Sequence, residues 1–240
     1  MLGPPDASAF LTTSFYVFTI ALVLSIIALV HRANSWQDGS TGGARWTALF
    51  AVGAAAWLAL TWVVAANGTL AEFDRRPPPL VLLAIAIFAL SITLAFSRVG
   101  ARLATLPFAW LVVAQAFRLP LELLMHRAAD ERVMPIQMSY SGRNFDIATG
   151  ATALIVAALL AAGFGGRKLV AGWNVLGTAL LANILYVAII STPVFAAFGP
   201  DNLNTWVAYP PFVWLPTVMV VWALTGHLII FRKLAKGSRG

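Results

Sequence analysis

Gln115, Arg118, Glu122 and His126 recur at spacings of three and four residues inside one apolar stretch. In an α-helix these four fall within an arc of roughly 80°, a single stripe on one face. Such a stripe supports proton or cation chemistry. Glu122 is the carrier, Arg118 sets its charge state, and Gln115 and His126 extend the polar face. A charge at the centre of a membrane helix costs about 2.5–3.5 kcal/mol on insertion scales, so ionisable residues there are rare and commonly functional. Arg118 and Glu122 are expected to pair along the helix, and Pro120 between them frees a backbone carbonyl beside the stripe. The competing reading is an internal ion pair that only pins this helix to its neighbours.

A loop of about seventeen residues, Ala128 to Asn144, follows the stripe, a length typical of lids and binding loops. It closes on Ser141-Gly142-Arg143-Asn144-Phe145-Asp146. Asn144 suits the N-cap of the next helix and Asp146 its positive end. Alternatively, Arg143, Asn144 and Asp146 meet the stripe at the same depth and complete a pocket for a ligand or ion. Asn174, Asn183 and Tyr186 on a later helix offer a secondary polar path, or simply hydrogen bonds between helices.

The remaining inventory excludes much other chemistry. The chain has no cysteine, which removes thiol catalysis and iron–sulfur clusters. Lys168, Lys233 and Lys236 all stand at helix ends, so no lysine is placed for a retinal Schiff base. His31 and His227 are expected near the inner side and His126 near the outer side, so the three cannot converge on one zinc. His31 and His227 could jointly ligate a haem, against ordinary hydrogen-bonded histidines; the expectation is no cofactor and no metal. His126 can reach Ser141, yet no glycine pattern for an oxyanion hole precedes that serine, and no metalloprotease or phosphate-loop motif occurs. No residue is assigned as catalytic.

The elements that must position the stripe follow from composition. Of 240 residues, 60% are hydrophobic and only 10% charged, with a mean hydropathy of +0.83. Soluble domains carry about 25% charged residues, so a soluble enzyme, a disordered chain and a disulfide-stapled domain are all excluded. Seven runs approach the ~20 apolar residues of a membrane crossing: Phe10–Val30, Trp46–Ala66, Pro79–Ser97, Leu106–His126, Phe145–Phe164, Leu169–Phe195 and Val207–Phe231. The expected architecture is one all-α, polytopic domain of seven transmembrane helices spanning residues 1–240. With the amino terminus outside, ten Lys and Arg residues fall inside against five outside, and the acids show the reverse bias. The net charge of +7 is therefore read as a topology signal, with the bilayer rather than nucleic acid as the partner. Residues 1–10 carry no Lys or Arg, unlike a signal peptide, so Phe10–Val30 is kept as the first helix.

Ala51, Ala55 and Ala59, and likewise Ala153, Ala157 and Ala161, form small-residue faces that suit close packing in lipid. Pro210, Pro211 and Pro216 predict a bend in the last helix, with Trp206, Tyr209 and Trp214 as interfacial anchors. Pro78-Pro79-Leu80-Val81-Leu82-Leu83 and Pro210-Pro211-Phe212-Val213-Trp214-Leu215 agree at four of six positions, the mark of a 3+1+3 parallel repeat as in some transporters.

Three groups of residues also carry a resemblance. They are Arg118-Leu119-Pro120-Leu121-Glu122, then Met138 with Gly142-Arg143-Asn144-Phe145-Asp146-Ile147 and Thr149-Gly150, then Pro211 to Thr217 with His227. Together they resemble a family of small bacterial seven-helix inner-membrane proteins. The resemblance implies the bacterial inner membrane, supplies no activity, and favours Arg118, Glu122, Arg143, Asn144 and Asp146 over His126. The functional expectation is a small-solute or ion transporter with an outward-facing polar pocket. Its rivals are a sensor or accessory subunit bound to a protein partner or its own copy, and an intramembrane enzyme or haem protein.

Overall fold

The structure is a computed structural model that describes residues 3–236. It is helical, with no strand among the described residues. The helices are α1 (Ala9–Gly39), α2 (Gly42–Ala66), α3 (Pro79–Phe96), α4 (Arg98–Leu103), α5 (Phe108–Asp130), α6 (Ile147–Ala161), α7 (Arg167–Ile190) and α8 (Leu215–Lys236). All but α4 and α6 are long and apolar enough to cross a membrane, six in total. Large apolar side chains such as Val52, Ile85, Ile155 and Leu24 lie exposed around the bundle, a surface suited to lipid and not to water. The chain has the pattern of a multi-pass membrane protein.

The fifth expected span is shorter than its apolar run. Only Ile147–Ala161 is helical, fifteen residues, or roughly 22 Å at 1.5 Å per residue against a hydrocarbon core of about 30 Å. Gly163 and Gly165, at φ of 81° and 90°, end it before Phe164 can be included. The first span is longer than expected, because α1 continues past Val30 to Gly39, whose φ of 71° turns the chain into α2. Asn34 donates to Thr47 at 3.1 Å and Trp62 to Tyr16 at 3.3 Å, which fixes α1 and α2 as an antiparallel hairpin.

α5 is two pieces. Its helical hydrogen bonds run over Phe108–Val113 and again over Arg118–Asp130. Between them Gln115, Ala116, Arg118 and Leu119 donate three residues back instead of four. Pro120 has no N–H to give to Ala116, and the Leu119 N–H takes that carbonyl at 3.0 Å. The expected free carbonyl is therefore occupied.

α8 is the most buried spanning segment and touches α3, α5 and α7. Its first turn, Leu215–Val220, is a wide π turn, the local response to Pro216 at its start. The expected helix start at Val207 is not reached, since Trp206–Ala208 forms a separate 3-10 turn. Trp206, Tyr209 and Trp214 are not interfacial anchors: at 1%, 9% and 7% exposure they are buried. Trp206 packs between Phe15 and Phe212, and the Trp214 indole donates to Leu58 O at 3.2 Å. The small face of α6 does pack, with Ala153 and Ala157 buried, whereas Ala55 and Ala59 of α2 are exposed.

Basic residues gather at one end of the bundle, where they cap neighbouring helices. Arg232 donates to Ala95 O at 2.8 Å and Ser97 O at 3.3 Å. Lys233 donates to Ala104 O at 2.9 Å and Leu106 O at 2.6 Å. Ala95 O and Ala104 O stand at helix C-terminal ends, where carbonyls lack intrahelical partners, whereas Ser97 O also accepts the Ala101 N–H at 3.0 Å. Arg102 pairs with Asp38 at 2.5 Å, and Arg32 lies 4.3 Å above the Trp110 ring. Arg239, counted with this group in the sequence, lies outside the described residues.

Candidate functional site

The site forms where the break in α5 meets the start of α6 and the middle of α8. Gly150 permits the first contact, because a Cβ there would collide with the Leu119 backbone nitrogen. Gly226 permits the second, because a Cβ there would collide with the Gln115 amide. The Arg118 side chain, 1% exposed, forms an ion pair at 2.9 Å with Asp146 at the foot of α6. Both Glu122 oxygens accept from a single donor, Asn144 Nδ2, at 2.9 and 2.7 Å. That nitrogen also donates to Met138 O at 3.0 Å, while Asn144 Oδ1 accepts the Asp146 backbone N–H at 3.0 Å.

Two sequence expectations change here. Asn144 does not cap α6; Asp146 occupies that position, and Asn144 is spent on Glu122. Arg118 and Glu122 make no direct ion pair, since Asp146 takes the guanidinium. Both residues lie in one continuous helical piece, so the spacing permits the pair, but Asp146 at the foot of α6 takes the guanidinium and Asn144 takes Glu122. The cluster holds two carboxylates against one guanidinium. Fully ionised, it carries one uncompensated negative charge in an apolar surround, which calls for a proton or a cation.

Arg118, Glu122 and Asp146 form the polar end of a cavity of about 100 Å³ between α5, α7 and α8. Its walls are apolar, with Met125, Met138, Leu181, Ile184 and Met219 among them. The long loop contributes Met138 to its wall, and neighbouring Gln137 is buried and donates to Ser191 Oγ and Asn202 O at 3.1 and 2.8 Å.

The other expected residues divide. Gln115 is fully buried one turn before Arg118, with neither amide atom paired in the protein. Asn174 is buried and bonded to His227 at 2.7 Å. Arg143 is exposed and its guanidinium lies over the Phe198 ring at 5.1 Å, away from the carboxylates. His126 faces the loop, bonded to Ser139 at 2.9 Å and stacked on Tyr140 at 4.3 Å. Asn183 donates to Arg143 O at 2.7 Å, and Tyr186 is 63% exposed on the outside of α7. Residues 174 and 186 fall on different faces of α7, so Asn174 and Tyr186 do not share one polar stripe. His31 is bonded to Thr47 and Ser35 at the α1–α2 turn, a hydrogen-bond group separate from that of His227.

Known family models, curated proteins and solved structures contain no match to this chain. The site's own geometry therefore carries the functional argument. Sequence reasoning missed Asn204 and the Met138 carbonyl. Asn204 lines the cavity, donates to Ala188 O at 3.1 Å and has an unpaired, buried Oδ1. No spacing signal marks it, since it reaches the cavity from the irregular segment after α7.

Proposed function

We propose that this protein is a carrier of a small solute or ion in a bacterial inner membrane. In this reading the amino terminus is outside, the carboxyl terminus inside, α6 supplies the seventh crossing, and Glu122 holds the coupling proton or cation. One observation carries it: Arg118, Asp146 and Glu122 form a buried, charge-unbalanced cluster at the end of an apolar cavity. A purely structural ion pair needs no second carboxylate and no cavity. The gathering of basic residues at one end of the bundle supports the orientation, and the two Pro-Pro segments agree with a 3+1+3 repeat at the level of sequence only.

The test is solute-driven proton movement in dye-loaded proteoliposomes, using monovalent cations, sugars and amino acids as the panel. Wild-type protein is expected to move protons with at least one member, and Glu122→Gln to reduce that movement to the protein-free rate. Equal movement by wild type and Glu122→Gln across the whole panel would sink the reading. A second reading is favoured by Asn144, which holds both Glu122 oxygens and so can act as a static clasp between α5 and the loop. It predicts that Glu122→Gln leaves all fluxes unchanged and lowers the unfolding temperature alone.

A further inference from the structure

The cavity of about 100 Å³ carries one feature that the ion pair does not explain. Among the described residues, Arg118, Glu122 and Asp146 are the ionisable groups on its wall, and the rest of the wall is apolar side chains and Asn204. Asn204 is 4% exposed. Its Nδ2 donates to Ala188 O at 3.1 Å and its backbone N–H to Ser191 O at 2.7 Å. A carbonyl only accepts, so the first bond fixes which end of the amide is nitrogen. The Oδ1 left over is a buried acceptor with no partner in the protein. Such groups are ordinarily matched by a donor from outside the chain. Leu203 and Thr205, on either side of Asn204, border a separate pocket of about 550 Å³, so a single strip of chain stands between the two spaces.

An occupant that completes this space needs one positive charge for Glu122, an N–H or O–H for Asn204 Oδ1, and an apolar body for the walls. Hard metal cations such as calcium take about 6–8 oxygen ligands, which an apolar wall does not offer. A quaternary ammonium has no N–H for Asn204 and is ordinarily held by an aromatic cage, whereas Phe117 is the one ring on this wall. A carboxylate would meet the unpaired Arg118 Nε and Nη2, but it would double the uncompensated negative charge of the cluster. Arg118 leaves room for a second cation because Asp146 already holds its Nη1 at 2.9 Å. Size narrows the class further. An engineered apolar cavity of about 150 Å³ holds benzene, with its six carbons. At that ratio about 100 Å³ suits about four non-hydrogen atoms.

We infer that this cavity binds a small primary alkylammonium ion of the size of n-propylammonium, its N–H groups on Glu122 and Asn204 Oδ1 and its chain against Met125, Met138, Leu181 and Met219. The inference rests on the proposed role of Glu122 and names what the coupling proton is exchanged for. An alkylammonium, like a lysine side chain with its ordinary pKa of about 10.4, is cationic at neutral pH. Before it enters, the proton sits on Glu122, and Arg118 and Asp146 cancel. On entry Glu122 gives that proton to water and the ligand's charge takes its place. Both states sum to zero, and one proton leaves for each cation bound.

Titration calorimetry of the purified protein in detergent, with n-propylammonium in two buffers of different ionisation heat, reads binding and proton release together. One proton per cation is expected at neutral pH. Affinity should rise about fourfold per methylene from methylammonium to n-propylammonium and fall for n-hexylammonium, which outgrows the cavity. n-Propanol and propionate, which share the chain without the charge, should not bind. Asn204→Ala should weaken n-propylammonium about tenfold, the loss of one charge-assisted hydrogen bond. Glu122→Gln should abolish proton release, and Met219→Ala should move the optimum to n-pentylammonium. If a variant does not fold, the chain-length series and the proton count on the wild type decide alone. Absence of n-propylammonium binding, tighter binding of propionate, a series without an optimum, or binding without proton release overturns the inference. If n-propylammonium fails in this way while a sugar or amino acid still drives proton movement that Glu122→Gln abolishes, the carrier reading stands without it. Binding with proton release, but no flux with any solute, overturns the carrier reading and leaves the site.

Discussion

Asp146 decides the chemistry of the cluster, since it takes the guanidinium that would otherwise neutralise Glu122. Removing one member of a buried pair leaves the other charge unpaired, at a cost of about 3–5 kcal/mol. Arg118→Leu or Asp146→Leu alone should therefore lower the unfolding temperature sharply in detergent, and the double variant should recover part of the loss. A separate residue sets an acid limit. Burial pushes the Glu131 carboxyl up, but the Ser8 N–H at 2.9 Å, the Ser8 hydroxyl at 2.7 Å and Arg127 at 2.7 Å outweigh it and hold Glu131 below its ordinary value. A carboxyl held low stabilises the fold above its ordinary pKa of about 4.3. That contribution is lost as pH falls through the lower folded value. Hydrogen exchange at Leu11, capped by Ser8 at 3.1 Å, should accelerate across that acid window in wild type and show no such transition in Glu131→Gln. At this scale the sequence was informative where a polar group contradicted its surroundings: Gln115, Arg118 and Glu122 stand out in an apolar run, whereas Asn144 and Asp146 sit in the polar segment 141–146. Which acid Arg118 takes is a property of two helices together, and the spacing rule for one helix named the wrong partner.

Among the elements, the approach of α5 to α6 and α8 governs the site. A Cβ at Gly150 meets backbone, whereas one at Gly226 meets the Gln115 side chain. Gly150→Ala should therefore separate two helices, destabilising by about 1–3 kcal/mol as overpacked sites do. Gly226→Ala should cost less in thermal unfolding, because Gln115 can change rotamer. The opposite ranking would contradict this packing. Helix existence was legible from apolar runs, but ends were not. Gly39 extends α1, the glycines at 163 and 165 shorten α6, and Pro216 opens a π turn in place of an early α8 start. Each of these is local backbone chemistry that a hydropathy window averages away.

For the whole molecule, the absence of native cysteine makes every introduced thiol an unambiguous reporter. Ser141 and Gly166 are exposed and flank α6. If α6 crosses, an impermeant maleimide added outside should label Ser141→Cys in intact cells and Gly166→Cys only after permeabilisation. Labelling of both from one side would show that α6 does not cross, and the reversed pattern would invert the orientation. The caps supplied by α8 have a consequence for biogenesis. Ala95, Ala104 and Leu106 belong to segments synthesised early, yet their carbonyls accept from Arg232 and Lys233. During translation those helix ends must wait for the last-made span to arrive, so the bundle can lock only after α8 has entered the bilayer. The basic residues gathered at one end of the bundle thus also complete the fold, and a nascent chain stalled before Arg232 would hold these helix ends open to water, lipid headgroups or a waiting chaperone.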